Sequence, residues 1–552
     1  MDMDMLRIRC TSSLEKIFND EELQARECSG SSVLRGEMHS FQVAIRTDNI
    51  SWVKVEFDSP IPGTTVREVG LSPSVNPGNC QDDNFLRATP GLYPDVLLPL
   101  DNARMAVQHL RWRSLWVSVP IPADFAPGLY TIKFTITPID QLNNVLEEHK
   151  QLSATYTVEV MAATLPEQKL MRSEWFHTDC IYKYYNVPCW SEEHWLLLEK
   201  YFRNAADHGI NMLLTPLWTP PLDTYIGGER PTVQLLDIEK RGDKYIFDFG
   251  RLERWFELGR KCGFKYFDFA HAFTQWGAMF TPKIVIRENG EEKKLFGWHV
   301  AANSPEYADF LQQLIPQLLE VTDKLGLTQN ILFHVSDEPN EKHIENYTYG
   351  ANLLRSLIGD VPIIDALSNV DFYDSGVVGI PVPSIERVEP FMERDVPILF
   401  TYYCVAEWYK VPNRFFSMPS ARNRILGVLL YVYDLDGFLQ WGYNFWYTQC
   451  SLKQDINVFQ ITDAGGHFPS GDAFAVYPGP TGPFDSIRHE VFTEGLQDLR
   501  ALRLLEEKIG REATLEFIHD GLYYKMSMTH YPQEAAWLLN LRRRVNAAVA
   551  AN

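Results

Sequence analysis

Near Leu165-Pro166 the spacing of apolar residues changes, and the change divides the chain into two kinds of structure. Upstream, candidate strands at 6–10, 40–46, 52–57, 115–121, 130–137 and 154–160 alternate in polarity or are β-branched. Turn signals such as Pro60-Ile61-Pro62-Gly63 and Ala126-Pro127-Gly128 separate them, and no stretch keeps a long helical period. Short strands between Pro/Gly turns predict a β-sandwich, here over residues 1–165.

Downstream, apolar runs alternate with amphipathic helices. Residues 192–206 place Trp195, Leu198, Tyr201, Phe202 and Ala205 on one face, the pattern of a helix that covers a sheet. Residues 252–262, 307–325, 341–358 and 421–433 also read as helical. Eight strand-like runs accompany them, at 171–176, 210–214, 266–269, 331–336, 362–367, 377–381, 397–403 and 437–446. Near-continuous apolar strands between helices mean a parallel sheet covered by those helices. Eight such units over roughly 280 residues predict a (β/α)8 TIM-type barrel. With C-terminal helices, it takes up residues 166–552. A doubly wound sheet is the alternative, but the chain has no glycine fingerprint to support it.

The fourth of these runs ends Ile331-Leu332-Phe333-His334-Val335-Ser336-Asp337-Glu338-Pro339-Asn340. Asp and Glu are disfavoured inside strands, so two adjacent carboxylates at a strand's exit need a reason. In a parallel barrel that exit is the face where catalytic groups collect. Adjacent carboxylates there suggest acid/base chemistry, with the two pKa values pushed apart. The competing reading makes Asp337 the cap of the next helix and Glu338 a first-turn charge. Other strand ends carry His177 and Asp179, Trp218, His271 and Trp276, Asp365, Glu407 and Trp408, and Trp441, Asn444 and Trp446. Seven of the 14 tryptophans (Trp175, Trp218, Trp276, Trp298, Trp408, Trp441, Trp446) sit in or just beyond these ends. A single buried Trp is normally core, but several at one mouth suit stacking on a ligand with apolar faces, as sugar rings have.

A net charge of −21 and a pI near 5.2 argue against nucleic acid and against anionic membrane surfaces as partners. No apolar run approaches the ~18 residues of a membrane span. The start, Met1-Asp2-Met3-Asp4-Met5, lacks a basic-then-apolar leader, so a cytoplasmic chain is expected unless a leader was removed. The eight cysteines are scattered with no Cys-x-x-Cys pair, as reduced thiols would be. With no zinc-type cluster, Walker loop, Gly-x-Gly-x-x-Gly or Gly-x-Ser-x-Gly, neither a cofactor nor a metal is expected.

The sequence resembles glycoside hydrolase family 123, the β-N-acetylgalactosaminidases, and the wider set of proteins sharing its C-terminal region. The likeness rests on Ser336-Asp337-Glu338-Pro339, on Trp441-Gly442-Tyr443-Asn444-Phe445-Trp446, and on Gly471-Asp472 followed by Tyr477-Pro478-Gly479. It continues through Gly482-Pro483-Phe484-Asp485-Ser486-Ile487-Arg488-His489-Glu490 and Gly495-Leu496-Gln497-Asp498-Leu499. Gly36-Glu37, Phe41-Gln42-Val43 and Ala126-Pro127-Gly128-Leu129-Tyr130 look like the family's N-terminal sandwich.

The resemblance implies a retaining exo-glycosidase that releases β-linked N-acetylgalactosamine from a glycan or glycoconjugate by substrate-assisted catalysis. Glu338 would be the general acid/base, and Asp337 would orient the 2-acetamido group, which is the nucleophile. Tyr403, Trp441 and Trp446 would serve the acetamide or stack on the sugar, with Asn444, His177 and Trp298 as further substrate contacts. Two other readings stay open. In one, Glu407 or Asp365 is a protein nucleophile acting with Glu338 on a non-acetylated sugar; in the other, the chain is a non-catalytic carbohydrate-binding protein.

Overall fold

The computed structural model describes residues 6–78 and 82–551, so the acidic start at residues 1–5 and Cys80 lie outside it. The N-terminal region is β-rich and holds two five-stranded sheets. In the first, Arg7–Ser12, Met38–Arg46, Trp112–Pro120, Thr65–Ser74 and Gly91–Pro99 pair antiparallel in that order. The second runs Gly30–Arg35, Leu152–Thr164, Gly128–Ile139, Trp52–Asp58 and Arg104–Ala106. Strand alternation explains how the first sheet is buried on both faces. Along Trp112–Pro120, Leu115, Val117 and Val119 enter the core between the two sheets. Trp116 points the other way, into the core of the C-terminal region.

Buried ion pairs fix that second face. Arg488 donates to both oxygens of Asp95 at 2.8 and 2.9 Å, and the Tyr477 hydroxyl adds a third bond at 2.7 Å. Arg67 pairs with Asp485 and Glu490. The helix Ala535–Ala551 returns to pack on Leu152–Thr164 and Gly30–Arg35, and its Arg542 pairs with Glu37 and Asp498.

The C-terminal region is a mixed α/β fold around eight short parallel strands. They are β1 (Met171–Glu174), β2 (Met212–Thr215), β3 (Tyr266–Phe269), β4 (Ile331–Phe333), β5 (Ile364–Ala366), β6 (Ile380–Val382), β7 (Phe400–Tyr402) and β8 (Gly437–Gln440). One sheet has the order β4-β3-β2-β1-β8-β7, and β5 pairs with β6. Single parallel bridges, Phe333 to Ile363 and Ser384 to Tyr402, connect these two pieces at both edges. Trp175, Met212, Leu214, Leu332, Ile364, Phe400, Tyr402 and Leu439 form a separate core enclosed by the strands. Leu198, Phe202, Trp255 and Phe310 from the covering helices join Phe267 and Phe269 on the outside.

Two differences from the expected elements have physical causes. The single helix expected over 421–433 is two, Ser420–Arg424 and Leu426–Val432, and Gly427 brings the second close against Gly495. A Cβ at Gly427 would lie 1.8 Å from the Gly495 carbonyl oxygen. Loops after β2 and β3 also carry an unexpected four-stranded sheet of Asp237–Arg241, Lys244–Asp248, Ile284–Glu288 and Glu291–Phe296. Three of its strands are charged and partly exposed, and only Ile284-Val285-Ile286 in the other gives a short apolar run, too little to announce a sheet. Among the described residues no helix is long and apolar enough to cross a membrane.

Candidate active site

β4 ends at Phe333, and neighbouring segments, chiefly the loop after β3, hold the chain beyond it. Ala272 and Phe273 donate amides to the carbonyls of His334 and Val335, both at 2.9 Å, and Trp276 donates to the Asp337 carbonyl at 2.8 Å. On the other side the Glu338 amide donates to the Ala366 carbonyl at 3.0 Å. Glu338 has φ of 44°, a left-handed conformation unusual for a residue with a side chain. This turn ends the strand's alternation, so Asp337 and Glu338 face the same cleft. The capping reading of Asp337 does not hold: Asn340 accepts from the Lys342 amide at 3.1 Å and caps the next turn.

The cleft has a volume of about 180 Å³. Trp175, Trp276 and Trp441 wall it, with Asp223, Gln275 and Tyr402 as polar neighbours of the dyad. A dyad remote from the tryptophans would have favoured a non-catalytic binder, and that is not the arrangement found. The Tyr402 hydroxyl donates to Glu338 Oε1. Burial, then the charges of Glu338 and Asp365, push the Asp337 carboxyl well above the usual range. A larger cavity, about 540 Å³, opens at the opposite ends of the strands beside Met171, Tyr266 and Arg503. Arg503 is paired there with Glu506 and with Asp434. Its position at the strands' N-terminal ends, away from the dyad, sets it aside.

Beneath the dyad, His334 sits between two buried carboxylates. Its Nδ1 is 3.1 Å from Asp365 Oδ1 and its Nε2 is 3.2 Å from Asp268 Oδ2. Burial opposes its charge, but the bonds to Asp268 and Asp365 outweigh this and raise its pKa to about 9. His271 and Asp365 lie close enough to His334 to suggest a metal site. Both His334 nitrogens are already committed to carboxylates, so the ring has no lone pair to offer one.

The other expected site residues separate into groups. Trp441 lines the cleft, and its indole N–H donates to Asp472 at 2.9 Å. His177 and Asn444 stand one layer back. His177 Nε2 bonds the Trp441 carbonyl at 2.8 Å, and Asn444 Oδ1 accepts from the His177 amide at 2.8 Å. They hold the Trp441 segment and do not line the cleft. Tyr403 is a correction: it packs outward against Phe438, while Tyr402 faces inward. Strand alternation makes that difference. Trp446 is also buried behind the site, against Tyr184 and Tyr201, with its N–H on the Val476 carbonyl. Trp298 packs on Phe280 beside a separate small cavity.

Asp365 and Glu407 are both otherwise engaged. Asp365 takes bonds from His334, from the Val335 amide and from the Tyr347 hydroxyl at 2.6 Å. Glu407 accepts from the Cys404 amide at 2.8 Å, and burial pushes it up to about 7. Asp223, Gln275 and Tyr402 are among the cleft residues that sequence reasoning missed. The first two lie in loops without periodicity, and only the strand register distinguishes Tyr402 from Tyr403.

Paired carboxylates thus stand at the C-terminal ends of parallel strands, inside a tryptophan-walled cleft, where the catalytic groups of such folds collect. The family model for the glycoside hydrolase 123 catalytic domain matches residues 175–505, and the chain belongs to that family. It is a glycoside hydrolase. A family 123 glycoside hydrolase from Clostridium perfringens, solved in work on glycolipid glycan hydrolysis, has a similar fold. Its TM-score is 0.75 at 14% identity, over 99% of this chain and 98% of that one. A GH10 xylanase with a bacterial Ig-like domain, from termite gut, gives 0.34 at 8% identity over 86% and 100%. A β-glucuronidase from Bifidobacterium dentium gives 0.30 at 8% over 90% and 66%. A sequence search of curated proteins gave no match.

Proposed function

We propose that the chain is a retaining exo-hydrolase of β-linked N-acetylgalactosamine, working by substrate-assisted catalysis. In this reading the eight strands act as a (β/α)8 barrel, residues 166–552 with C-terminal helices, behind an N-terminal β-sandwich, residues 1–165. The substrate is a glycan or glycoconjugate with that sugar at its end, in keeping with the glycolipid glycan of the Clostridium relative. Trp441, and Trp276 at 45% exposure, offer ring faces to the sugar.

The acetamide oxygen attacks C1 as the glycosidic bond breaks, and Glu338 gives its proton to the leaving oxygen. Asp337 orients the acetamide and meets the charge of the oxazolinium-like ring. Glu338, now a carboxylate, takes a proton from water as the water attacks C1, which regenerates the acetamide and retains configuration. The observation that carries this reading is the dyad itself: both carboxylates face one small cleft, while Asp365 and Glu407 are bound elsewhere. A nucleophile supplied by the sugar needs no second carboxylate across the ring, unlike the usual two-carboxylate scheme.

A galacto-configured thiazoline tests the reading, because a mimic of the cyclised intermediate meets groups preorganised for it. It should inhibit competitively and more tightly than N-acetylgalactosamine, and Asp337→Asn should weaken it more than it weakens the free sugar. Mass spectrometry after treatment with a 2-fluoro sugar should find no adduct. A glycosyl ester on Glu407 or Asp365 would overturn the mechanism.

A further inference from the structure

Two polar atoms at the cleft, Gln275 Nε2 and the Trp175 indole Nε1, are buried with no hydrogen-bond partner. A third, Asp223 Oδ2, is buried with none at full hydrogen-bond geometry, although the Cys450 and Ser451 amides approach that carboxyl. All three residues line the cleft with the dyad. Gln275 is 5% exposed and Trp175 3%, so bulk water does not reach them freely. Leaving such a group unpaired is costly, and each instance in a folded protein calls for an explanation.

The loops hold these atoms in place. The Asp223 amide donates to Gln275 Oε1, which fixes the orientation of the Gln275 amide and leaves its NH2 to find another acceptor. Asp223 has φ of 43°, a conformation that costs energy for a residue with a side chain. Its carbonyl accepts from Ser451 Oγ at 2.8 Å, and the Leu222 carbonyl accepts from Arg230 at 3.1 Å. Arg230 is itself held by Asp179, with Nη2 to Oδ1 at 2.7 Å. An acceptor and a donor are thus set side by side, on a strained and pinned loop, facing the catalytic carboxylates. A sugar hydroxyl both donates and accepts, so two neighbouring hydroxyls satisfy such a pair.

We propose that Asp223 and Gln275 form a hydroxyl-reading subsite that selects the epimer of the terminal sugar. Asp223 Oδ2 accepts from one ring hydroxyl, the Gln275 NH2 donates to the oxygen of the next, and the Trp175 indole N–H is a further donor beneath them. This rests on the glycosidase reading of the cleft and adds the residues that choose the substrate. A site built to hydrogen-bond a hydroxyl rejects the analogue that lacks it far more strongly than an apolar pocket rejects a methylene.

The test measures kcat/KM for aryl β-glycosides of N-acetylgalactosamine and of its 3-, 4- and 6-deoxy forms. Wild type, Asp223→Asn, Gln275→Ala and Glu338→Gln are compared. Wild type should lose about 100-fold on at least one deoxy substrate. Asp223→Asn should lose a similar factor on the parent sugar, yet stay within about threefold of wild type on that deoxy substrate, because the bond is already gone. Gln275→Ala should show the same pattern on that analogue or its neighbour, and it decides the matter if Asp223→Asn misfolds. Glu338→Gln should lose equally on all four. Uniform losses from Asp223→Asn and Gln275→Ala across all four substrates would overturn the subsite. If wild type cleaves only non-acetylated glycosides, the N-acetylgalactosamine reading fails by itself, and the same comparison on deoxy forms of the accepted sugar decides the subsite.

Discussion

The Asp95→Asn substitution removes one charge from the seam between the N-terminal sheets and the parallel strands, with almost no change in side-chain size. Asp95 is fully buried and Arg488 is 2% exposed. The remaining donors of Arg488 go to the uncharged carbonyls of Gly471 and Phe474, at 2.7 and 2.6 Å. The guanidinium therefore keeps its hydrogen bonds there but loses its only bonded counter-charge. Breaking a buried pair from one side costs about 3–5 kcal/mol, against about 0–1 kcal/mol for an exposed pair. The Tyr477 hydroxyl also donates to Asp95, and an Asn can serve both partners with one acceptor oxygen only. Urea unfolding followed by tryptophan fluorescence and by far-ultraviolet circular dichroism should show the midpoint falling in both probes together. Arg67 and Arg542 tie the same seam at other points, so the two regions should still unfold in one step. Activity should fall as well, because the carbonyls Arg488 holds flank Asp472, the partner of the Trp441 indole. A loss below about 1 kcal/mol would refute the reasoning, as would a new early transition confined to the β-rich region.

Tyr402→Phe removes the hydroxyl that bonds Glu338 and should lower kcat by about 10- to 100-fold. Tyr403→Phe removes a buried hydroxyl with no partner, so steady-state kinetics should stay near wild type and the melting temperature should hold or rise. The His334 pKa of about 9 lies above its usual 6.5. Its contribution to stability is therefore complete below pH 6.5 and is lost as pH climbs through 9. The denaturation midpoint should decline across that window, by an amount on the order of 3 kcal/mol. His334→Gln should flatten the decline, and an unchanged slope would show that the ring is neutral.

The positions of all eight parallel strands could be read from the sequence because each lies in a short apolar run, and several are followed by helices with a clear apolar face. Their lengths could not: the run at 331–336 is ladder-paired only over Ile331–Phe333, since the next residues bond to neighbouring loops and to a carboxylate. The dyad was legible because two carboxylates contradict the strand that carries them. Its surroundings were not. A register shift of one residue exchanges Tyr402 for Tyr403, and composition is blind to register. Trp446 and Trp441 belong to the same motif, yet the chain's turn between them sends one indole to the cleft and the other to a packed layer. Asp223 and Gln275 matter through the bonds they do not make, a property visible only once the loops are in place.

The return of Ala535–Ala551 to the N-terminal sheets also has a consequence for how the protein is made. Leu152–Thr164 and Gly30–Arg35 leave the ribosome early, but the helix that covers them is translated roughly 370 residues later. At about 5–20 residues per second, that is a wait of about 20–70 seconds. Through that interval the nascent chain carries Glu37, buried in the finished fold, and the part-buried Ser32, whose partners Arg542 and Asn546 do not yet exist. Truncations that stop short of Ala535 should therefore strand the molecule in its nascent, aggregation-prone form.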